Sequence, residues 1–347
     1  MNRIRVGVML ASVLAGLPDV NAQTPPSTNP SVNEAVGAGL QADAARALRV
    51  LKARPASEFT GRDAEYRACM LKRFDAPKPS QTDAATEGFA ADVLRAFRLY
   101  WHGSLLDPAT REANQAALAR TLGGLLKHAG AKSETMDALE PRVLARLRAD
   151  GYHALMGRTG PMRELMMWRK QESKLHRVKL PEGEHETRVE ILDDFLTLGW
   201  ADYATCGRRG AGGWATTDAL FAVRPRYASL DGEEFRVTFL GHETQHFADL
   251  KKYAPMESWE LEYRAKLVEL AQATETRARI LAKFSEDQSD DPRSPHSYAN
   301  KRVLAALRAR LGAGAASDLN AVPVADLQRA AVALLAEDSG RRTLRAR

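Results

Sequence analysis

Glu234 to Leu250 read EFRVTFLGHETQHFADL, and this stretch decides how the rest of the chain is read. His242 and His246 are four residues apart. On an α-helix that spacing sets two side chains on one face, a turn apart, so both imidazoles can grip one ion. Glu243 follows the first histidine directly, where its carboxylate can act as general base toward a water on that ion. The surroundings are helical, with Phe235, Val237, Phe239 and Leu240 before the histidines and Phe247, Ala248 and Leu250 after them. Gly241 costs the helix a little and lets another backbone come close.

A zinc ion held by two histidines needs a third protein ligand and an open position for water. Lys251 to Pro255 read as a helix stop and turn, and a second helical run, MESWELEYRAKLVELAQATETRARILAKF, begins at Met256. If the two helices fold back about Ala254, residues equidistant from it lie side by side. His246 is eight before Ala254 and Glu262 is eight after. Glu260 points about 200° away around its helix. Glu257 sits in the loose first turn, and Glu269 lies two turns further on. The expected ligands are therefore His242, His246 and Glu262. Asp249, one turn past His246, is either a hydrogen-bond partner for that imidazole or a solvated carboxylate.

Other zinc patterns are excluded by position. A metzincin would carry a third histidine at 252 and a glycine at 249, which here are Lys252 and Asp249. HETQH followed by WELEYRAK instead resembles the gluzincin group of zinc metallopeptidases, whose motif is HExxH with a glutamate on a downstream helix. The resemblance covers about 30 residues. It implies that His242, His246 and Glu262 hold the metal and that Glu243 is the base. Many gluzincins carry an aspartate four residues after the ligand glutamate, where this chain has Lys266. The family also implies that a strand before the metal helix binds an extended peptide by β-addition. Gly213-Trp214-Ala215-Thr216 is placed to be that strand, or else a plain core strand. A donor for the developing oxyanion is expected from His296 or Tyr298 in SPHSYAN, since the similar segment of thermolysin-like enzymes supplies a histidine; Tyr203, Tyr227 and Tyr263 are rivals. The wider stretch from Gly157 to about Leu270 also resembles a family of exported bacterial proteins without an assigned substrate.

Over the whole chain, 347 residues suffice for two domains, and 44% hydrophobic with 27% charged residues describe a soluble globular protein. The formal charge of +6 is spread along the sequence, with no basic stripe interleaved with aromatics, which speaks against a nucleic-acid partner. Arg3 and Arg5, the uncharged run Val6 to Leu17, and Val20-Asn21-Ala22 form a signal-peptide pattern with cleavage expected after Ala22, so residues 1–22 predict export to a periplasm or medium and no stable membrane anchor. Residues 23–38, rich in Pro, Ser, Thr and Asn, predict a flexible linker. From 39 to 177 the pattern predicts a helical N-terminal region, with helices over Glu87–Leu106, Pro108–Leu126, Pro141–Met156 and Pro161–His176. Val189–Leu198 and Trp214–Val223 predict strands. The glycines from Gly207 to Gly213 lack phosphate-loop spacing. Cys69 and Cys206 either pair in an oxidising compartment or remain two separate buried thiols.

The expected fold is α+β and mostly helical. Residues 178–347 would form a zincin-like catalytic domain, its metal helix beside a small mixed sheet, with a helical C-terminal part. The expected function is an exported metallopeptidase using Zn2+ and a water activated with the help of Glu243, acting on a peptide or protein substrate. Two alternatives stay open: a zinc hydrolase of a non-peptide amide or ester, and a non-enzymatic exported helical binding protein.

Overall fold

The computed structural model describes residues 27–76, 87–126, 134–253, 255–312, 314 and 317–345. The expected signal peptide lies outside these residues, as do residues 23–26 of the expected linker and Ala254. The chain is α+β and dominated by helices, with one small, curled mixed sheet. Helices α1 (Pro30–Leu40), α2 (Ala44–Lys52), α3 (Gly61–Phe74), α4 (Gly88–Leu106), α5 (Arg111–Leu125) and α6 (Met136–Ala149) come first. Strands β1 (His153–Thr159), β2 (Met162–Leu180) and β3 (Gly183–Leu198) are next in the chain, then α7 (Trp200–Ala204), β4 (Gly213–Ala215) and β5 (Leu220–Val223). The rest is helical: α8 (Glu233–Phe235), α9 (His242–Tyr253), α10 (Ser258–Gln272), α11 (Arg277–Glu286), α12 (Pro295–Arg310) and α13 (Val324–Arg345). Sheet order is β1-β2-β3-β5-β4, so β4 is an edge strand.

Two compact units divide the chain. One holds Gln23–Glu172 and Leu192–Ala211, the other Ser173–Ile191 and Gly212–Arg347. The long strands β2 and β3 contribute to both, so the boundary expected near residue 178 falls inside β2 rather than in a linker.

Two further expectations are corrected. The linker is helical from Pro30 onward: Asn29 accepts the Ser31 N–H as its N-cap, Pro30 starts the helix, and Val32, Ala35 and Val36 bury a stripe at helical spacing. The helix expected over Pro141–Met156 is α6, which starts at Met136, carries Pro141 inside it and stops at Ala149; the strand residues from His153 onward and the stretch expected as a helix over Pro161–His176 form a β-hairpin. Pro161 is not a helix start but the second residue of a two-residue turn, after Gly160 at φ +53. A positive φ followed by the fixed proline φ suits a hairpin turn with glycine first. Thr159 pairs with Met162 and Met156 with Leu165. Leu165 to Trp168 are buried in succession, so the strand shows no alternation and its apolar run passes for a helix.

In the first unit, Trp101 is fully buried on α4 and donates its indole N–H to the Arg163 carbonyl of β2 at 2.9 Å. Tyr100 accepts the Arg163 N–H at 3.0 Å. Cys69 of α3 and Cys206 after α7 form a disulfide across 137 residues. In the second unit, α10 lies at the centre, with Glu262 to Leu270 all buried. A helix buried on every face must satisfy each polar residue it carries, and this one carries Glu262, Arg264, Lys266 and Glu269. Phe235, Phe239 and Tyr227 pack ring against ring at the segment leading into α9. Truncating any one to alanine is expected to cost about 3–5 kcal/mol.

Candidate metal centre

From Glu233 to Tyr253 the backbone is helical without a break, but Arg236–Gly241 is π-helical, one wide turn just before His242. Such turns insert an extra residue and re-aim the side chains after them. Thr238 donates to the Glu234 carbonyl at 2.6 Å here. A Cβ on Gly241 would stand 3.1 Å from Gln272 Oε1, which is why a side chain is missing where α10 passes closest. The start of the segment is anchored by Glu233. Its carboxylate accepts the backbone N–H groups of Thr274, Glu275 and Thr276 and the hydroxyls of both threonines. Burial opposes its charge, but the threonine donors outweigh burial and hold it down at about 2. The sheet lies beside the metal helix, with Thr187 of β3 and Thr244 of α9 hydrogen-bonded at 3.0 Å.

His242, His246 and Glu262 converge. The two Nε2 atoms are 3.1 Å apart. Glu262 Oε1 lies 3.4 Å from His246 Nε2, and Oε2 lies 3.5 Å from His242 Nε2. Zinc bonds of ~2.0–2.1 Å in tetrahedral geometry put neighbouring ligand atoms ~3.3–3.4 Å apart, close to these separations. Two imidazoles and one carboxylate are also the donor types that zinc accepts. All three ligand atoms could hold one ion.

The surroundings orient these ligands. Glu269, two turns after Glu262, sits 2.5 Å from His242 Nδ1. A carboxylate oxygen can only accept, so Nδ1 carries the proton and Nε2 faces the other ligands. Burial opposes a positive His242, yet Glu262 and Glu269 outweigh it and lift the imidazole to about 10. Glu262 is held well below the usual carboxylate range, because His242, His246 and His296 outweigh its burial. A divalent ion bound there would have to compete with a proton for the His242 imidazole. Lys266 Nζ stands 3.5 Å from Glu262 Oε2, with its ammonium over the Phe284 ring.

His296 Nδ1 is 2.7 Å from Glu262 Oε2, so the structure brings this expected residue to the ligand set. Tyr298 goes elsewhere: its ring packs on Trp259 and its hydroxyl accepts from Arg302 at 3.0 Å. Glu243 is buried and has no hydrogen-bond or ion-pair partner among the described residues. Of the rival tyrosines, Tyr203 and Tyr227 both have a buried hydroxyl without a hydrogen-bond partner among the described residues, and Tyr227 is the one that feels Glu243: burial, reinforced by the Glu243 charge, pushes it well above the ordinary phenol value.

Asp249 is not the partner of His246. Its Oδ1 takes Arg264 Nε at 2.9 Å and Gln245 Nε2 at 2.8 Å, while His246 Nδ1 is buried with no partner among the described residues. Helical spacing alone sets Asp249 beside His246 and gives no sign of Arg264 arriving from α10. By sequence Glu269 is only a rival ligand; its spacing of seven from Glu262 is the signal that puts both carboxylates on one face. Comparison with protein-family models, with curated proteins and with solved structures finds no match to this chain.

Proposed function

We propose that this chain is an exported zinc-dependent hydrolase that cleaves peptide bonds. The carrying observation is the meeting of His242 Nε2, His246 Nε2 and the Glu262 carboxylate at 3.1–3.5 Å, one carboxylate oxygen toward each imidazole, with a partner-free Glu243 next in sequence to the first ligand. A zinc ion held there would lower the pKa of a water and polarise a substrate carbonyl. The protein's own groups do the rest. Glu269 keeps the His242 proton on Nδ1, so that Nε2 can serve as a ligand. Glu243 takes the proton of the attacking water and returns it to the leaving amine nitrogen. His296, already against the ligand carboxylate, is the donor assigned to the developing oxyanion.

Two further observations support parts of this reading. Among the described residues β4 ends the sheet order, the position at which an extended peptide would be added, which favours an amide in a peptide over a small ester. A Cβ on Gly213 would collide with the Phe221 carbonyl and the Phe239 ring, so this strand lies tight on the segment leading into α9. The Cys69–Cys206 disulfide suits an oxidising compartment and therefore export. Glu243→Gln keeps the ligands and removes the base. Its turnover on a mixed peptide substrate should fall by about 10²–10⁴-fold with zinc content unchanged. A variant as active as the parent removes Glu243 from the reaction, and a parent that cleaves esters but no peptide removes the peptidase half.

A further inference from the structure

A cavity of about 590 Å³ opens between α10, α12 and α13. That volume lies in the range of small-molecule sites. Its floor is apolar, with Ala305, Ala306 and Leu334, and its walls carry Trp259 and Tyr263. Four charged side chains besides Arg302 line it, and they are already engaged. Arg342 donates to Glu260 at 3.1 Å and to Asp338 at 2.6 Å. Asp338 also takes Arg264 at 3.0 Å and Arg341 at 3.5 Å. Both carboxylates of the cavity are therefore spent on other arginines.

Arg302 differs. It has no carboxylate partner among the described residues. Its guanidinium sits against two rings that pack on each other, 5.0 Å from the Trp259 centroid and 5.3 Å from that of Tyr298, and donates one N–H to the Tyr298 hydroxyl. These ring contacts hold the guanidinium in place while leaving donors for a planar anion. Tyr263 adds a hydroxyl that lines the same cavity without a hydrogen-bond partner among the described residues. A fixed arginine fork, a spare phenol donor and an apolar floor together match a carboxylate attached to an apolar or aromatic body.

We infer that this cavity is a binding site for small carboxylates with an apolar or aromatic body, recognised by Arg302 and Tyr263. The site stands on its own residues and does not depend on the metal reading. It borders that centre in sequence and packing: Trp259 is one turn before Glu262, and Tyr298, against Trp259, is two residues after His296.

The test is calorimetric titration of the full chain with N-acetyl-phenylalanine and with its uncharged amide. The acid should bind, and the amide should bind at least about tenfold more weakly. Arg302→Gln should lose affinity for the acid by a similar factor; Arg302 is exposed, and unchanged circular dichroism will confirm the fold. His246→Ala should bind the acid as the parent does. No binding of the acid, equal binding of the amide, or an unaffected Arg302→Gln overturns the inference. Acid binding lost in His246→Ala but kept in Arg302→Gln moves the ligand to the metal centre and also overturns it. Failure of the chain to bind zinc leaves all of these outcomes readable.

Discussion

Helices α9 and α10 carry two buried polar clusters about one turn apart, and they are built in opposite ways. Around Arg264 every charge has its complement. The fully buried guanidinium meets Asp249 at 2.9 Å, Glu182 at 2.7 Å and Asp338 at 3.0 Å, and adds Ser339 at 3.0 Å. This knot ties the metal helix, the β2–β3 turn and α13 to the central helix. Around His246 the rule is broken. Two imidazole nitrogens face one another and a carboxylate, and His246 Nδ1 stays buried without a partner among the described residues. Single atoms lack a hydrogen bond in both clusters, Asp249 Oδ2 and Gln245 Oε1 beside Arg264 as well as His246 Nδ1, so the difference lies in charge: the knot pairs a cation with carboxylates, whereas here two imidazole nitrogens are turned on one another. The contrast separates the polar groups this sequence spends on architecture from those it holds for something that is not part of the chain.

The costliest substitution breaks the architectural cluster. Arg264→Ala leaves the buried Asp249 carboxylate without its cation, while Asp338 keeps Arg342 and Glu182 keeps solvent, and uncompensated buried charge costs about 3–5 kcal/mol. Urea unfolding reads this directly, and a loss below about 1 kcal/mol would show that the knot is not what holds α13 in place. The metal cluster should respond in the reverse sense. His246→Ala removes an unsatisfied group and should leave the metal-free chain about as stable as the parent. The parent should gain about 2.7 kcal/mol when zinc is added at ~100 times its Kd, and the variant nothing. A variant that zinc stabilises equally would dissolve the contrast, since His246 would then belong to an ordinary helix face.

Glu269 refines the distinction, because it serves architecture and site together. Glu269→Gln keeps a side chain of the same size but weakens the acceptor that fixes His242. Loss of such an outer partner lowers metal affinity by about 10–100-fold. Competition with a chromophoric chelator measures this. An unchanged affinity would mean that His242 orients itself by packing alone.

How much of the fold and the site is legible in the sequence depends on the range of the interactions. The pentad and Glu262 are legible because both depend on local periodicity and on one turn between sequential helices. β2 is not, because burial on both sides removes alternation and Pro161 suits a helix start as well as a hairpin turn. The helix from Pro30 is hidden by composition, although its i, i+3, i+4 stripe is present. Arg264 with Asp249, Glu182 and Asp338 is invisible for another reason: the partners lie 15, 82 and 74 residues away, and nothing local marks one arginine among the chain's 50 lysines and arginines as buried. Cys69 and Cys206 are undecidable until α3 and the segment after α7 are set together.

The mildest effect concerns Glu233, which fixes the entrance of the metal helix with charge-assisted hydrogen bonds rather than with an opposing cation. Its carboxyl is held at about 2 against an ordinary 4.5. A depressed folded value means that the native state prefers the carboxylate, so its contribution is fully present above pH 4.5 and drains away as pH falls toward 2. Glu233→Gln should therefore cost about 1–2 kcal/mol at pH 7. That gap should close progressively between pH 4.5 and 2, measured by urea unfolding at stepped pH. The parent approaches the variant because protonation does to Glu233 what the substitution does. A gap that stays constant through this window would assign the five donors a packing role and leave the charge without effect. A gap that closes would show that the metal helix is aimed by an acceptor whose donors all come from the segment joining α10 to α11, so that a change at Thr274 or Thr276 should carry to His242 through the π-helical turn.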